Sequence, residues 1–223
     1  MVEGFERYDG HLSTGIQTTH RLMLELSRNG YDGEAYRLLN LRSFPSWGFM
    51  LEQGATTIWE RWDGYVKGRG FQNPGMNSFN HWALGAVGEW IWRNIIGINP
   101  DEAYPAYKRF AIRPRPGGGL RWAKGTYKSI RGPITSDWKI ADNTFTLDIA
   151  IPANTTATVY VPTTNPESVR ESGKLPRQAK GVKFLRVEDG NAVFAVESGR
   201  YAFVSEWKTA DLRASTDEHK PRR

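Results

Sequence analysis

An α+β chain in two parts is what this sequence predicts: helices over residues 1–100, then an antiparallel, jelly-roll-like β-sandwich over 101–207. Three observations carry the prediction. Apolar residues recur at helical spacing in the first part, as in Leu22, Met23 and Leu26 or Ala83, Val87 and Trp90. From Tyr104 the period shortens to the alternation of strands. Turn signals such as Asp142-Asn143, Pro152-Ala153-Asn154 and Asp189-Gly190 then follow at short, regular intervals.

Taken in order, residues 1–13 read as an entry loop, and Ser13-Thr14-Gly15 as the cap of a helix running through Ser27. Asn29-Gly30 stops it. A second helix opens at Tyr31-Asp32-Gly33 and carries Ala35, Tyr36, Leu38 and Leu39, so the pair forms an αα-hairpin. Ser43 to Gly48 is a loop punctuated by Pro45, with a short turn over Phe49–Gln53. Thr56-Thr57 is set to cap a third helix through Trp59 and Trp62. Asp63 to Gly75, rich in Gly, is a loop. The longest expected helix runs from Asn77 or Ser78 to Ile96, with Trp82 and Trp90 on its core stripe and Gly97 as its stop. About eight strands follow, at Phe110–Pro114, Arg121–Ser129, Ile134–Ile140, Thr144–Ile151, Thr156–Val161, Val182–Val187, Asn191–Glu197 and Arg200–Trp207. Lys208–Arg223 is charged and without apolar pattern, and reads as disordered.

Composition narrows the chemistry. The chain has 223 residues, a net charge of +6 and no cysteine, so disulfides and thiolate zinc sites are excluded. Histidine occurs at 11, 20, 81 and 219 only, with no metal-ligand spacing, and no metal or cofactor is implied. The basic residues are scattered, and part of the excess lies in the tail, which argues against a nucleic-acid binder. No apolar run reaches the roughly 18 residues of a membrane span. The first residues, MVEGFERYDG, carry no signal-peptide pattern, and the compartment stays open. Gly117-Gly118-Gly119 lacks the Lys and helix of a phosphate loop and is a turn.

The residues that point to function lie between Gly54 and Arg93. Glu60 sits in Trp59-Glu60-Arg61-Trp62, and His81 follows Asn80. Indoles, a carboxylate and an imidazole are the parts of a sugar pocket, since apolar sugar faces stack on rings and hydroxyls need directional partners. A carboxylate there can activate water. Glu60 read as an ordinary surface charge paired with Arg61 or Arg93 is the competing reading, and His81 read as a structural histidine is its counterpart. Of the tryptophans, Trp47 in its Pro-Gly loop and Trp62 are the better stacking candidates. Asp63 is placed to orient Arg61 or to bind a hydroxyl.

The stretch Gly54-Ala55-Thr56-Thr57-Ile58-Trp59-Glu60-Arg61-Trp62-Asp63, with Met76-Asn77-Ser78-Phe79-Asn80-His81 and Gly85-Ala86-Val87-Gly88-Glu89-Trp90, resembles the bacterial α-L-rhamnosidases of glycoside hydrolase family 78. Leu12-Ser13-Thr14-Gly15, Pro45-Ser46-Trp47-Gly48 and Phe110-Ala111-Ile112-Arg113-Pro114 agree, so the resemblance runs from about residue 10 to about 205. It implies the last helices of an (α/α)6 catalytic barrel followed by its C-terminal β-sandwich. It also implies Glu60 as general base of an inverting hydrolysis of terminal α-L-rhamnose, and His81 as a ligand of the sugar. The general acid of that family belongs to an acidic motif earlier in the barrel, with no counterpart here. Inversion needs two carboxyl groups roughly 6.5–9.5 Å apart, so little or no activity is expected of this chain alone. Exposed inner helix faces would then favour association with the upstream barrel or with another copy. A non-catalytic carbohydrate-binding sandwich is the alternative function.

Overall fold

The structure is a computed structural model and describes residues 2–208; the tail read as disordered lies, from Thr209 on, outside the described residues. Two compact units divide at Trp90/Ile91.

In the first unit, helix α1 (Val2–Glu6) occupies part of the expected entry loop, and α2 (Thr19–Arg28), α3 (Asp32–Asn40) and α4 (Trp47–Glu52) follow. Helix α2 begins three residues later than its cap signal suggests. Thr14 and Gly15 are used instead to fix the start from outside: the Thr19 hydroxyl donates to Gly15 O at 2.7 Å and bonds Thr14 Oγ1 at 2.8 Å. Leu22, Met23 and Leu26 are buried, and Asn29 closes the helix through bonds to the Glu25 and Leu26 carbonyls. The hairpin of α2 and α3 forms as expected, and α2 also packs on the helices after residue 81. Trp90 is fully enclosed, its indole N–H donating to Ser27 Oγ at 2.7 Å and its ring meeting Tyr36 edge-on at 5.1 Å. Ser46 caps α4 by accepting from Phe49 N–H at 3.0 Å. Gly48 has no substitute there, because a Cβ would stand 2.1 Å from Leu41 O.

Two expected helices are shortened or lost for one reason. Residues 55–63 form no helix, and a two-stranded ribbon, β1 (Tyr65–Val66) and β2 (Gly70–Phe71), fills the Gly-rich loop. The long helix starts only at Trp82, as α5 (Trp82–Gly85) and α6 (Val87–Trp90), and passes into a π-helix over Ile91–Ile96. Glu60 N–H donates to Ser78 O and His81 N–H to Ile58 O, each at 2.9 Å. These cross-bonds occupy the Ile58 and Ser78 carbonyls, each in the first turn of an expected helix, so tertiary pairing overrides local propensity.

The second unit is a two-sheet sandwich. One sheet orders β10 (Val182–Glu188), β11 (Asn191–Val196), β8 (Thr156–Pro162), β4 (Arg109–Ile112) and β3 (Ile98–Pro100). The other orders β5 (Trp122–Ser129), β6 (Gly132–Ala141), β7 (Thr144–Ile151), β12 (Gly199–Glu206) and β9 (Arg170–Glu171). All eight expected strands are present. The two-residue β9 and the three-residue β3 were not anticipated, being too short to show a period. The sheets are antiparallel except for β4 and β8, which run parallel with Arg109 opposite Thr156. Phe194 and Phe203, one from each sheet, stack at 5.5 Å in the core. The π-helix is tied to this unit: Trp138 Nε1 donates to Ile95 O and Ser136 Oγ to Ile96 O, both at 2.7 Å. Gly97 ends it as expected, with φ +88° and no room for a Cβ, which would lie 2.3 Å from Pro114 N.

Candidate active site

The same cross-bonds that suppress the helices build the site. Residues 58–60 and 78–81 run antiparallel, and the Thr57 hydroxyl donates to Phe79 O. Trp59 turns inward and is buried, meeting Phe79 edge-on at 5.4 Å; Phe79 meets Phe71 of β2 at 5.5 Å. The next side chain, Glu60, therefore points the other way and is half-buried. Its Oε2 accepts from Ser78 N–H at 3.1 Å, while Oε1 has no partner among the described residues. One oxygen is thus held in place by the backbone and the other is free to accept from water, which is the geometry a positioned base requires. Arg61 is not its counter-ion: the guanidinium donates to Gln72 Oε1 at 2.6 Å. Asp63 does not orient Arg61 either, since it pairs with Arg69 at 2.6 Å.

His81 is the N-cap of α5. Its Nδ1 accepts from Ala83 N–H at 3.2 Å, and this places the proton of the neutral ring on Nε2. Nε2 has no partner among the described residues and can donate to a hydroxyl. The cap explains why an exposed-looking Asn-His sequence becomes rigid: the ring is part of the helix start.

The tryptophans divide differently from the expectation. Trp47 and Trp62, read as the stacking wall, are buried and pack edge to face with centroids 5.2 Å apart. Their indole N–H groups are spent on Leu84 O and Thr14 O, each at 3.0 Å. They brace the loop from within and offer no open ring face. Trp82, read as core, is instead 70% exposed. Because the helix begins at Trp82 itself, that side chain projects from the first turn rather than from the buried stripe. It lies near-parallel to His81 (6.2 Å, 20°), and the His20 ring, tilted by 60°, is centred 5.8 Å from it. His20 Nδ1 is buried without a hydrogen-bond partner. Trp82 and His20 are the residues sequence reasoning missed. The Asn80-His81 cap signal just before Trp82 could have moved the helix start, whereas nothing in the sequence brings His20 alongside. Among the described residues there is no cluster of three or more His, Asp or Glu able to hold a metal, and no helix long and apolar enough to cross a membrane.

Known proteins resemble this chain along most of its length. Residues 1–95 match the bacterial α-L-rhamnosidase six-hairpin glycosidase domain, and residues 97–176 the bacterial α-L-rhamnosidase C-terminal domain. An α-L-rhamnosidase of Streptomyces avermitilis is 45% identical over 203 residues, 91% of this chain and 19% of that protein. One from Formosa agariphila is 37% identical over 207 residues, 93% of this chain and 22% of that protein. The crystal structure of the Streptomyces avermitilis enzyme complexed with L-rhamnose superposes with a TM-score of 0.82 at 44% identity, covering 91% of this chain and 19% of that one. The chain spans about a fifth of the length of the curated relatives it matches.

Proposed function

The chain belongs to the bacterial α-L-rhamnosidases, and we propose that it supplies the water-activating half of an inverting hydrolysis of terminal, non-reducing α-L-rhamnose. The substrates are rhamnose-bearing glycosides and polysaccharides. The observation that carries the reading is the Glu60 carboxylate, fixed by Ser78 N–H through one oxygen and open at the other, on a segment whose backbone is hydrogen-bonded to the one that leads to His81.

In this reading Oε1 of Glu60 removes a proton from water as the water oxygen bonds to the anomeric carbon on the face opposite the leaving group. The glycosidic C–O bond breaks, the leaving oxygen takes a proton from a second carboxyl group, and the free sugar has inverted configuration. The second group must stand roughly 6.5–9.5 Å from the base to leave space for the water. We place it in the part of the relatives' length that this chain does not span. His81 Nε2 donates to a rhamnose hydroxyl, and the exposed face of Trp82 takes the apolar side of the ring. The Asp63 and Glu52 carboxylates are paired with Arg69 and Arg42 and are left out of the chemistry.

The test uses p-nitrophenyl α-L-rhamnoside. The purified chain alone should not cleave it. A chimera in which residues 10–208 replace the matching C-terminal segment of the Streptomyces avermitilis enzyme should cleave it, and Glu60→Gln in that chimera should lower kcat by about 10²–10⁴-fold. Cleavage by the unaided chain would remove the need for an outside acid. Full activity of the Glu60→Gln chimera would remove Glu60 from the reaction.

A further inference from the structure

The outer face of the β10-β11-β8-β4 sheet holds an open trough of about 530 Å³. That volume lies in the range of ligand sites. Its floor is made of short side chains, chiefly Thr158 and Ala195, and the longer Arg109, Lys183 and Glu197 rise around it. Strand register explains the shape. Lys183 stands opposite Ala195, and Glu197 stands opposite Gly181, whose carbonyl accepts from Glu197 N–H at 2.9 Å. The carboxylate therefore faces a residue with no side chain. Lys183 and Glu197 are diagonal neighbours across the pair and form no ion pair. A Cβ at Gly181 would lie 2.7 Å from the Tyr201 hydroxyl and 3.3 Å from Glu197 Cβ, so only glycine keeps that end open.

The polar groups in the trough are unspent. The Thr156 and Thr158 hydroxyls, the Lys183 ammonium and the Glu197 carboxylate have no hydrogen-bond or ion-pair partner among the described residues. Arg109 differs: its guanidinium lies 4.2 Å from the Tyr104 ring centroid and 3.9 Å from Asp101. The available set thus has one cation, one anion and two hydroxyls, with the Tyr201 phenol beside Gly181. Burial first, then the Glu197 and Glu171 carboxylates, raise the pKa of Tyr201, so its hydroxyl stays a donor at neutral pH. Balanced charge with mixed donors and acceptors over a small-residue floor suits a neutral polyol better than an anion or an apolar peptide.

We propose that this trough is a second carbohydrate site, binding a neutral oligosaccharide segment through Thr158, Lys183 and Glu197, apart from the Glu60 centre. That the polyol is a sugar rests on the rhamnosidase reading; the trough itself does not.

The experiment is a titration of the ¹⁵N-labelled chain with a neutral rhamnosyl-glucose disaccharide, followed by amide shifts. Saturable shifts at Gly181, Lys183, Ala195 and Glu197 are expected, unchanged in Glu60→Gln. Lys183→Ala should weaken binding about tenfold, as loss of one charged hydrogen bond does. Thr158→Ile, which fills the floor while suiting a strand, should abolish it with the rest of the spectrum intact. Shifts confined to the Glu60–His81 region, no shifts in β10 and β11, equal shifts with glycerol, or binding of digalacturonate in preference to the neutral sugar would each overturn the proposal. The rhamnosidase reading stands or falls separately, on the chimera.

Discussion

In the sandwich, Ile134, Trp138, Phe145, Leu147, Val159, Val161, Val193 and Phe203 are all completely shielded, at 0% exposure. In the helical unit, Phe44, Leu51, Phe71, Met76 and Trp82 stand 52–72% exposed. Although Trp122 and Ile130 of the sandwich unit stand 66% and 85% exposed, its two twisted sheets offer each other complementary apolar faces, and alternation hides one side of strands such as β6 and β7. Short helices cannot do this. Each of α4, α5 and α6 spans no more than 6 residues and covers little more than the side chain beneath it. The contrast also separates stability from chemistry. Side chains of the sandwich core make few polar demands, while Glu60 and His81 sit on irregular backbone whose hydrogen bonds come from distant residues.

The contrast can be broken most directly in the sandwich core. Trp138→Ala removes a fully buried indole and its bond to Ile95 O, and should cost about 3–5 kcal/mol, read as a lowered midpoint in thermal or urea unfolding of the chain. A loss below 1 kcal/mol would mean that this core is not the stable part. In the helical unit His81 separates two roles. His81→Ala removes both the cap and the proposed sugar donor, with about 1 kcal/mol lost from stability and an increase in KM of about tenfold in the chimera. His81→Asn restores the cap, so stability should recover while KM stays raised. If KM also recovered, His81 would be structural only.

The smallest effect concerns alkaline pH. Burial, then the hydrogen bond that the Tyr107 hydroxyl donates to Tyr127, pushes the Tyr107 phenol up to about 12. An unfolded tyrosine ionises near 10. Below pH 10 both states keep the proton and the contribution is whole. Between about 10 and 12 only the unfolded chain releases it, so stability of the sandwich should decline across that window. Tyr127→Phe should move the Tyr107 transition, followed by absorbance near 295 nm, downward. An unchanged transition would place the cause in burial alone.

Much of the sandwich was legible in advance. Thr144 to Ile151 alternates so regularly that strand β7 has the expected ends, and Asp142-Asn143 sits where the left-handed turn falls, at φ +48° and +58°. The α2–α3 hairpin was equally plain, through Asn29-Gly30 and the two apolar stripes. The site was legible as residue types and not as geometry. Thr56-Thr57 is a sound local cap signal, yet Ile58 to Glu60 spend their backbone on Ser78 and His81. Trp47 and Trp62 look like platform residues because indoles serve both walls and cores, and only their N–H partners distinguish the two.

Local order in the chain determined the class of each half, the ends of most strands and the stop at Gly97, and it offered Glu60 and His81 as candidates, because periodicity, turn chemistry and residue type act over a few neighbours. Tertiary structure decided where the helices begin, which indole faces outward, which carboxylate oxygen is free and that β4 lies parallel to β8. Those outcomes depend on pairing between distant residues, such as the Glu60–Ser78 hydrogen bond across 18 positions and the register of Arg109 with Thr156 across 47, and no local signal reports which distant partner will claim a backbone group.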